Sequence, residues 1–233
     1  MRILGFIPAR GGSRRIPNKN IAMLKGKPLI AYTIEAAKKS KYINRIVVST
    51  DSPRIAGVAR KYGAETPFMR PKKISRADST ELEFFDHALN WFAKHEKYEP
   101  DLIVMLFATS PFRKAKSIDG AIETMIKNPQ ADSLKSVRLC SEHPYKMWTI
   151  ENGYLKPFVD TPDFNDHTLA YHLLPIVYIQ NASIYITKPS TIKIKRSPTG
   201  DIIIPYIMGE DESFDINIPL DLKAAETLIK KIK

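Results

Sequence analysis

Apolar positions recur along the chain with two periods, one suited to strands and one to helices. The run Ile3-Leu4-Gly5-Phe6-Ile7 predicts a first strand. Residues 29–39 carry Ile30, Thr33, Ile34 and Ala37 at helical spacing behind Pro28. A strand is predicted over 45–49, a helix over 53–62 closed by Gly63, and a longer helix over 82–95 with Phe85, Leu89 and Phe92 on one side. Residues 101–107 are almost continuously apolar, as in a strand buried on both faces. A helix over 115–127 and a strand over 133–137 follow. This β-α-β-α order argues for an α/β fold with a mostly parallel sheet covered by helices.

The pattern changes over residues 139–176, where prolines, aromatics and short polar segments dominate and Asn152-Gly153 gives a hairpin signal. This stretch reads as an inserted β-rich arm. Strand patterning returns at 183–187 and 202–207, and 220–232 reads as a closing amphipathic helix behind Pro219. The expectation is one domain over 1–233 with an arm at about 139–176.

Composition narrows the partners. Of 233 residues 43% are hydrophobic, enough for a packed core. Lys and Arg number 36 against 25 Asp and Glu, a net charge of +11, which favours nucleotides, acidic sugars, nucleic acid or a membrane surface. The pairs Lys38-Lys39, Lys72-Lys73 and Lys230-Lys231 read as solvated surface. Cys140 is the only cysteine, which excludes an intrachain disulfide and a cysteine metal site and fits a reducing cytoplasm. No run approaches the roughly 20 apolar residues that span a bilayer, and the opening apolar stretch is too short for a signal peptide. A soluble cytoplasmic protein is expected. His87, His95, His167 and His172 share no metal-ligand spacing.

Candidate chemistry clusters where a doubly wound sheet places its ligands, beyond the carboxyl ends of strands. Residues 10–20 follow the first strand, Ser49-Thr50-Asp51 the second and 108–113 the central one, while Asp215-Ile216-Asn217 precedes the last helix. Arg10-Gly11-Gly12-Ser13-Arg14-Arg15-Ile16-Pro17-Asn18-Lys19-Asn20 holds four cations on a glycine-containing turn. Such cations repel one another unless an anion neutralises them, and a strand leading into a basic glycine turn suits a phosphate chain. The spacing is neither that of a Walker A loop nor that of the dinucleotide fingerprint. Arginine binds phosphate oxygens bidentately and lysine acts as a point charge.

The segment 7–20 resembles the opening signature of the acylneuraminate cytidylyltransferase family, the synthetases of CMP-sialic acid and of CMP-activated legionaminic and pseudaminic acids. Val48-Ser49-Thr50-Asp51, Arg70-Pro71 with Asp78-Ser79-Thr80, Thr109-Ser110-Pro111-Phe112-Arg113, His143-Pro144-Tyr145-Lys146 and Ser213-Phe214-Asp215-Ile216-Asn217 resemble its later motifs in order. The resemblance implies a Rossmann-like nucleotidyltransferase sheet, CTP and an acidic nonulosonic sugar as substrates, Mg²⁺ as cofactor, and a homodimer whose arm reaches the partner's sugar site. By residue it implies catalytic roles for Arg10, Lys19 and Asp215, and nucleotide binding by Arg10, Ser13, Arg14, Lys19, Asn20, Arg70, Ser79 and Thr80. It places Phe107, Lys146 and Asn181 on the sugar side and assigns the metal to Asp215 and Asn217.

Three departures stand out. Asn217 replaces the second aspartate of the family, Phe107-Ala108 replaces Gln-Pro, and Ile179-Gln180-Asn181-Ala182 lacks the arginine and glycine of Arg-Pro-Asn-Gly. Two of these lie on the sugar side and point to an acceptor other than N-acetylneuraminate. The same reaction with another nucleotide or sugar is the nearest alternative. A basic nucleic-acid-binding module is a further one, although no helix-turn-helix, finger or RNP spacing supports it.

Overall fold

The computed structural model describes residues 1–161 and 163–231. In chain order it comprises β1 (Ile3–Pro8), a short ribbon of β2 (Met23–Leu24) and β3 (Lys27–Pro28), α1 (Leu29–Lys38), β4 (Arg45–Ser49), α2 (Pro53–Lys61), α3 (Glu81–His95), β5 (Leu102–Leu106), α4 (Ala115–Lys127) and β6 (Ser133–Leu139). The hairpin of β7 (Trp148–Glu151) and β8 (Tyr154–Pro157) follows, then β9 (Tyr178–Thr187), α5 (Pro189–Lys195), β10 (Ile203–Ile207) and α6 (Pro219–Lys231). The expected last residue of the closing helix, Ile232, lies outside the described residues.

Six strands form one sheet in the order β10-β6-β9-β5-β1-β4. β1 runs parallel to β4 and β5, and β10 parallel to β6. β9 lies between β5 and β6 and is antiparallel to both. Successive side chains of a strand face opposite sides of the sheet, and two cores result. Ile3, Ile7, Val48, Val104 and Leu106 pack under α1, α2 and α4. Leu4, Phe6, Val47, Ile103 and Met105 pack under α3 and α5. The apolar run of β5 is buried throughout because both layers cover it. A fully buried side chain such as Phe85 is worth about 1.5–3 kcal/mol over its exposed state. Ile16, Leu24, Leu29, Phe112, Ile216 and Ala225 form a third, smaller cluster that ties α6 to the basic loop.

Beyond the β2–β3 ribbon, which no expected element covers, two departures stand out. The last central strand starts at Tyr178 instead of 183, so residues 179–182 belong to β9. Its polar Asn181 is tolerated at the centre of the sheet because Oδ1 accepts from Ser136 Oγ at 2.6 Å and Nδ2 donates to Ser213 Oγ at 2.9 Å. The register shifts between Lys135 and Val137, and Ala182 has a φ of 50°, so the strand bulges here. The second departure is α5, a short lysine-containing helix whose single apolar anchor, Ile192, is too weak a periodic signal. At the hairpin tip Asn152 and Gly153 both have positive φ, 52° and 84°, as the Asn-Gly signal predicts.

Candidate active site

The basic loop leaves β1 and is shaped by backbone contacts. Gly11 N–H donates to Asp51 Oδ1 at 2.8 Å, and a Cβ on Gly11 would lie 3.2 Å from that of Ser52, so only a small residue approaches the turn after β4 this closely. Asn18 takes up φ 51°, a conformation asparagine tolerates better than most residues. It starts a 3-10 turn over Lys19–Ile21. Asn20 is buried, and its Nδ2 donates to Arg10 O at 2.9 Å, fixing the two ends of the loop against each other.

The loop forms one wall of a cleft of about 570 Å³. Arg10, Ser13, Arg14, Arg15, Lys19 and Asn20 line it from one side; Arg70, Ser75, Arg76, Ser79 and Phe84 line it from another; Phe107, Thr109, Ala182, Asp215 and Asn217 complete it. Six of the lining residues are cations, and Asp215 is the only carboxylate among them. Burial pushes the Lys19 ammonium below its ordinary pKa, opposed by the charge of Asp215. Lys19 Nζ donates to Ile216 O at 2.9 Å, which links the basic loop to the segment before α6. Burial likewise lowers the pKa of Arg70, opposed by Asp51. The Arg70 guanidinium stacks 5.5 Å from the Phe84 ring, and its Nε is buried with no hydrogen-bond partner among the described residues.

Ile216 is buried, and its N–H donates to Thr109 O at 2.9 Å. This holds Asp215 and Asn217 at the cleft on either side of the anchor. Asn217 Nδ2 donates to Asp215 Oδ2 at 2.7 Å, while Asp215 Oδ1 is buried without a hydrogen-bond partner among the described residues. Behind the cleft, buried Arg113 donates to Ser183 O at 2.7 Å, Thr33 Oγ1 at 2.9 Å and Phe107 O at 3.2 Å. Ser110 Oγ donates to Ala182 O at 2.9 Å. These bonds fix the loop after β5 to α1 and to the bulge of β9.

Arg10, Ser13, Arg14, Lys19, Asn20, Arg70, Ser79, Phe107, Asp215 and Asn217 are thus brought together. Thr80, Lys146 and Asn181 are not among the lining residues. Thr80 caps α3: its side chain accepts from Glu83 N–H, and Glu83 returns the bond to Thr80 N–H at 2.6 Å. The pattern Thr80-Glu81-Leu82-Glu83 is a capping-box signature and contains that role. Lys146 Nζ donates to the carbonyls of His167 and Leu169 within the 139–176 stretch. Asn181 serves the sheet, while its neighbour Ala182 reaches the cleft. Arg76 and Phe84 line the cleft without any motif to mark them; Phe84 has the spacing of a core residue and stacks on Phe6 at 5.7 Å.

A mixed, mainly parallel sheet with a cationic cleft at its strand ends defines a nucleotide-handling α/β protein, and comparison with known proteins narrows the class. Residues 4–186 match the sequence profile of the cytidylyltransferases, and the chain belongs to that family. It is 37% identical over 233 residues to the CMP-N,N'-diacetyllegionaminic acid synthase of Legionella pneumophila, covering 99% of this chain and 97% of that one. It is 31% identical over 236 residues to the pseudaminic acid cytidylyltransferase of Campylobacter jejuni, covering 99% and 97%. Among solved structures, a CMP:2-keto-3-deoxy-manno-octonic acid synthetase complexed with CTP shares the fold, with a TM-score of 0.72 at 17% identity over the full length of both chains. The protein is a nucleotidyltransferase of the acylneuraminate cytidylyltransferase type.

Proposed function

We propose that the protein joins CMP from CTP to the anomeric hydroxyl of an acidic nonulosonic sugar, releasing pyrophosphate. The observation that carries this reading is a cleft whose two walls bring six cations to one carboxylate, Asp215, whose buried Oδ1 has no hydrogen-bond partner among the described residues. Nucleotidyl transfer needs positioning and charge neutralisation more than covalent help from the protein. The acceptor oxygen bonds to the α-phosphorus, the bond from that phosphorus to the bridging oxygen breaks, and the electron pair leaves on pyrophosphate while the hydroxyl proton goes to solvent. Arg10 and Lys19 bind the triphosphate and offset charge growing on the leaving group, with Ser13 and Arg14 beside them. Asn20, Arg70 and Ser79 bind the nucleotide.

Mg²⁺ fits the residues present. It takes oxygen ligands, keeps several waters and is held by one or two side chains together with substrate phosphates. Asp215 Oδ1 is an orphaned carboxylate oxygen, and the bond from Asn217 Nδ2 to Oδ2 leaves the Asn217 carbonyl oxygen available beside it. When bound, the ion supplies further positive charge to the phosphates. Among the described residues no group of three His, Cys, Asp or Glu offers a dedicated metal cage, in keeping with an ion that arrives with its nucleotide.

The relatives named for legionaminic and pseudaminic acids support an acceptor of that type, as does the apolar Phe107 at the cleft. The exposed apolar residues between 139 and 179 support a homodimer. Among the described residues no helix is long and apolar enough to cross a membrane, and Cys140 is free, both compatible with work in the cytoplasm. Pyrophosphate release from each of the four nucleoside triphosphates with a panel of purified nonulosonic acids tests the reading. Release with CTP and a legionaminic- or pseudaminic-type acid is expected. Best turnover with N-acetylneuraminate overturns the acceptor assignment, and no release with CTP overturns the reaction.

A further inference from the structure

Asp51 has no part in the roles above, yet the turn that carries it reaches both cationic walls of the cleft. Its Oδ1 accepts the Gly11 N–H at 2.8 Å, where the basic loop begins. The same turn grips the opposite wall: Arg70 N–H donates to Thr50 O at 2.8 Å. Ser52 N–H donates to Thr50 Oγ1 at 3.1 Å, which stiffens the turn from within. Arg70 is 5% exposed and forms no ion pair among the described residues. The charge of Asp51 opposes the lowering of the Arg70 pKa by burial. A buried guanidinium is costly to place, and the backbone bond to Thr50 O, one residue before Asp51, fixes where Arg70 enters the cleft.

We propose that Asp51 is a positioning residue for nucleotide binding: it pins Gly11 to set the start of the basic loop, on the same turn whose Thr50 O holds the Arg70 backbone. The proposal rests on the nucleotide reading above. Its sign is distinctive. An anion behind a phosphate site lowers the positive potential there, so if Asp51 acted only through that field, its neutralisation would tighten CTP. If it acts by placement, neutralisation weakens CTP.

Asp51→Asn keeps an oxygen that accepts from Gly11 N–H and removes the charge; Asp51→Ala removes both. CTP affinity by calorimetry without acceptor is expected to fall about threefold for the asparagine protein and about tenfold for the alanine protein, the scale of one charge-assisted hydrogen bond. The KM for the acceptor stays within about twofold in both. In nucleotide-free protein, hydrogen exchange at the Gly11 amide accelerates in the alanine protein and matches the parent in the asparagine protein. Parent-like CTP affinity in the alanine protein, tighter CTP in the asparagine protein, or unchanged Gly11 exchange in the alanine protein each overturns the proposal. If the alanine protein does not fold, the asparagine protein decides by its CTP affinity. A parent protein that binds no CTP overturns the nucleotide reading, and the Gly11 exchange rates still decide whether Asp51 places the loop.

Discussion

Lys19 joins the basic loop to the segment before α6 through its bond to Ile216 O. Lys19→Ala is expected to lower turnover by about 100-fold, the usual scale for losing one group that stabilises a developing anion; pyrophosphate release measures it. Because burial lowers its pKa, the ammonium is lost at a lower pH than the ordinary lysine value of 10.5. On the alkaline side kcat/KM for CTP therefore falls earlier than an exposed lysine would allow, and Lys19→Arg moves that limb to higher pH. Ala182 sits at φ 50°, where an L side chain is strained and glycine is not. Ala182→Gly is expected to fold with equal or up to about 1 kcal/mol greater stability in urea unfolding, since relief of strain outweighs the entropy of a more flexible unfolded chain. The sequence displayed both features unequally. The cations of 10–20 declare themselves because like charges on one short turn need an anion, whereas Thr80, Lys146 and Asn181 carry polar groups whose partners come from other parts of the chain, so their side chains are spent on a helix cap, two carbonyls and the sheet.

At the level of elements, the edge strand β10 hangs on Asp132. The carboxylate accepts from Ile202 N–H at 2.9 Å, Lys195 Nζ at 2.7 Å and Asp201 N–H at 2.8 Å, and these bonds hold its pKa at about 2. The folded value lies below the ordinary 3.8, so the contribution is complete above that value and is lost as pH falls through about 2. Asp132→Asn should lower the urea midpoint at neutral pH, and its difference from the parent should shrink below pH about 4. Gly200, at φ 67°, packs so closely that a Cβ would lie 2.5 Å from that of Asp132. Gly200→Ala should cost about 1–3 kcal/mol in the same unfolding measurement. Strand β5 was legible because uninterrupted apolar residues admit few readings in a helix-covered sheet. The early start of β9 was not: Gln180 and Asn181 break the apolar run, and their place in the sheet depends on Ser136 and Tyr185 as partners.

The whole molecule shows its apolar surface unevenly. Ile150 is 75% exposed and Tyr154 77%, and Leu155, Phe158 and Ile176 are exposed in the same stretch. Ile150 and Leu155 face each other across the β7–β8 hairpin. Contiguous apolar surface of this kind marks an interface, and the proposed homodimer supplies one. Ile150→Asp with Leu155→Asp should convert the parent dimer to a monomer in sedimentation equilibrium. A monomeric parent would contradict the dimer. The Asn-Gly turn announced the hairpin through its backbone demands, while the partner for its side chains is not encoded in any local pattern.

Strand order also constrains how the chain is made. β9 is the ninth strand in sequence but sits at the middle of the sheet, with β5 and β6 on its two sides. A nascent chain that has emerged only as far as residue 139 can pair β1 with β4 and β5, but β5 keeps one unpaired edge and β6 has neither of its neighbours, because β9 and β10 both come later. β9, which joins β6 to β5, comes only after some forty further residues, when 178–187 leave the ribosome. Folding is therefore dominated by distant contacts and finishes late, and the exposed strand edges are sites for misassembly in the interval. Chains stalled before Tyr178 should be the aggregation-prone species during expression, the ones that chaperones must hold.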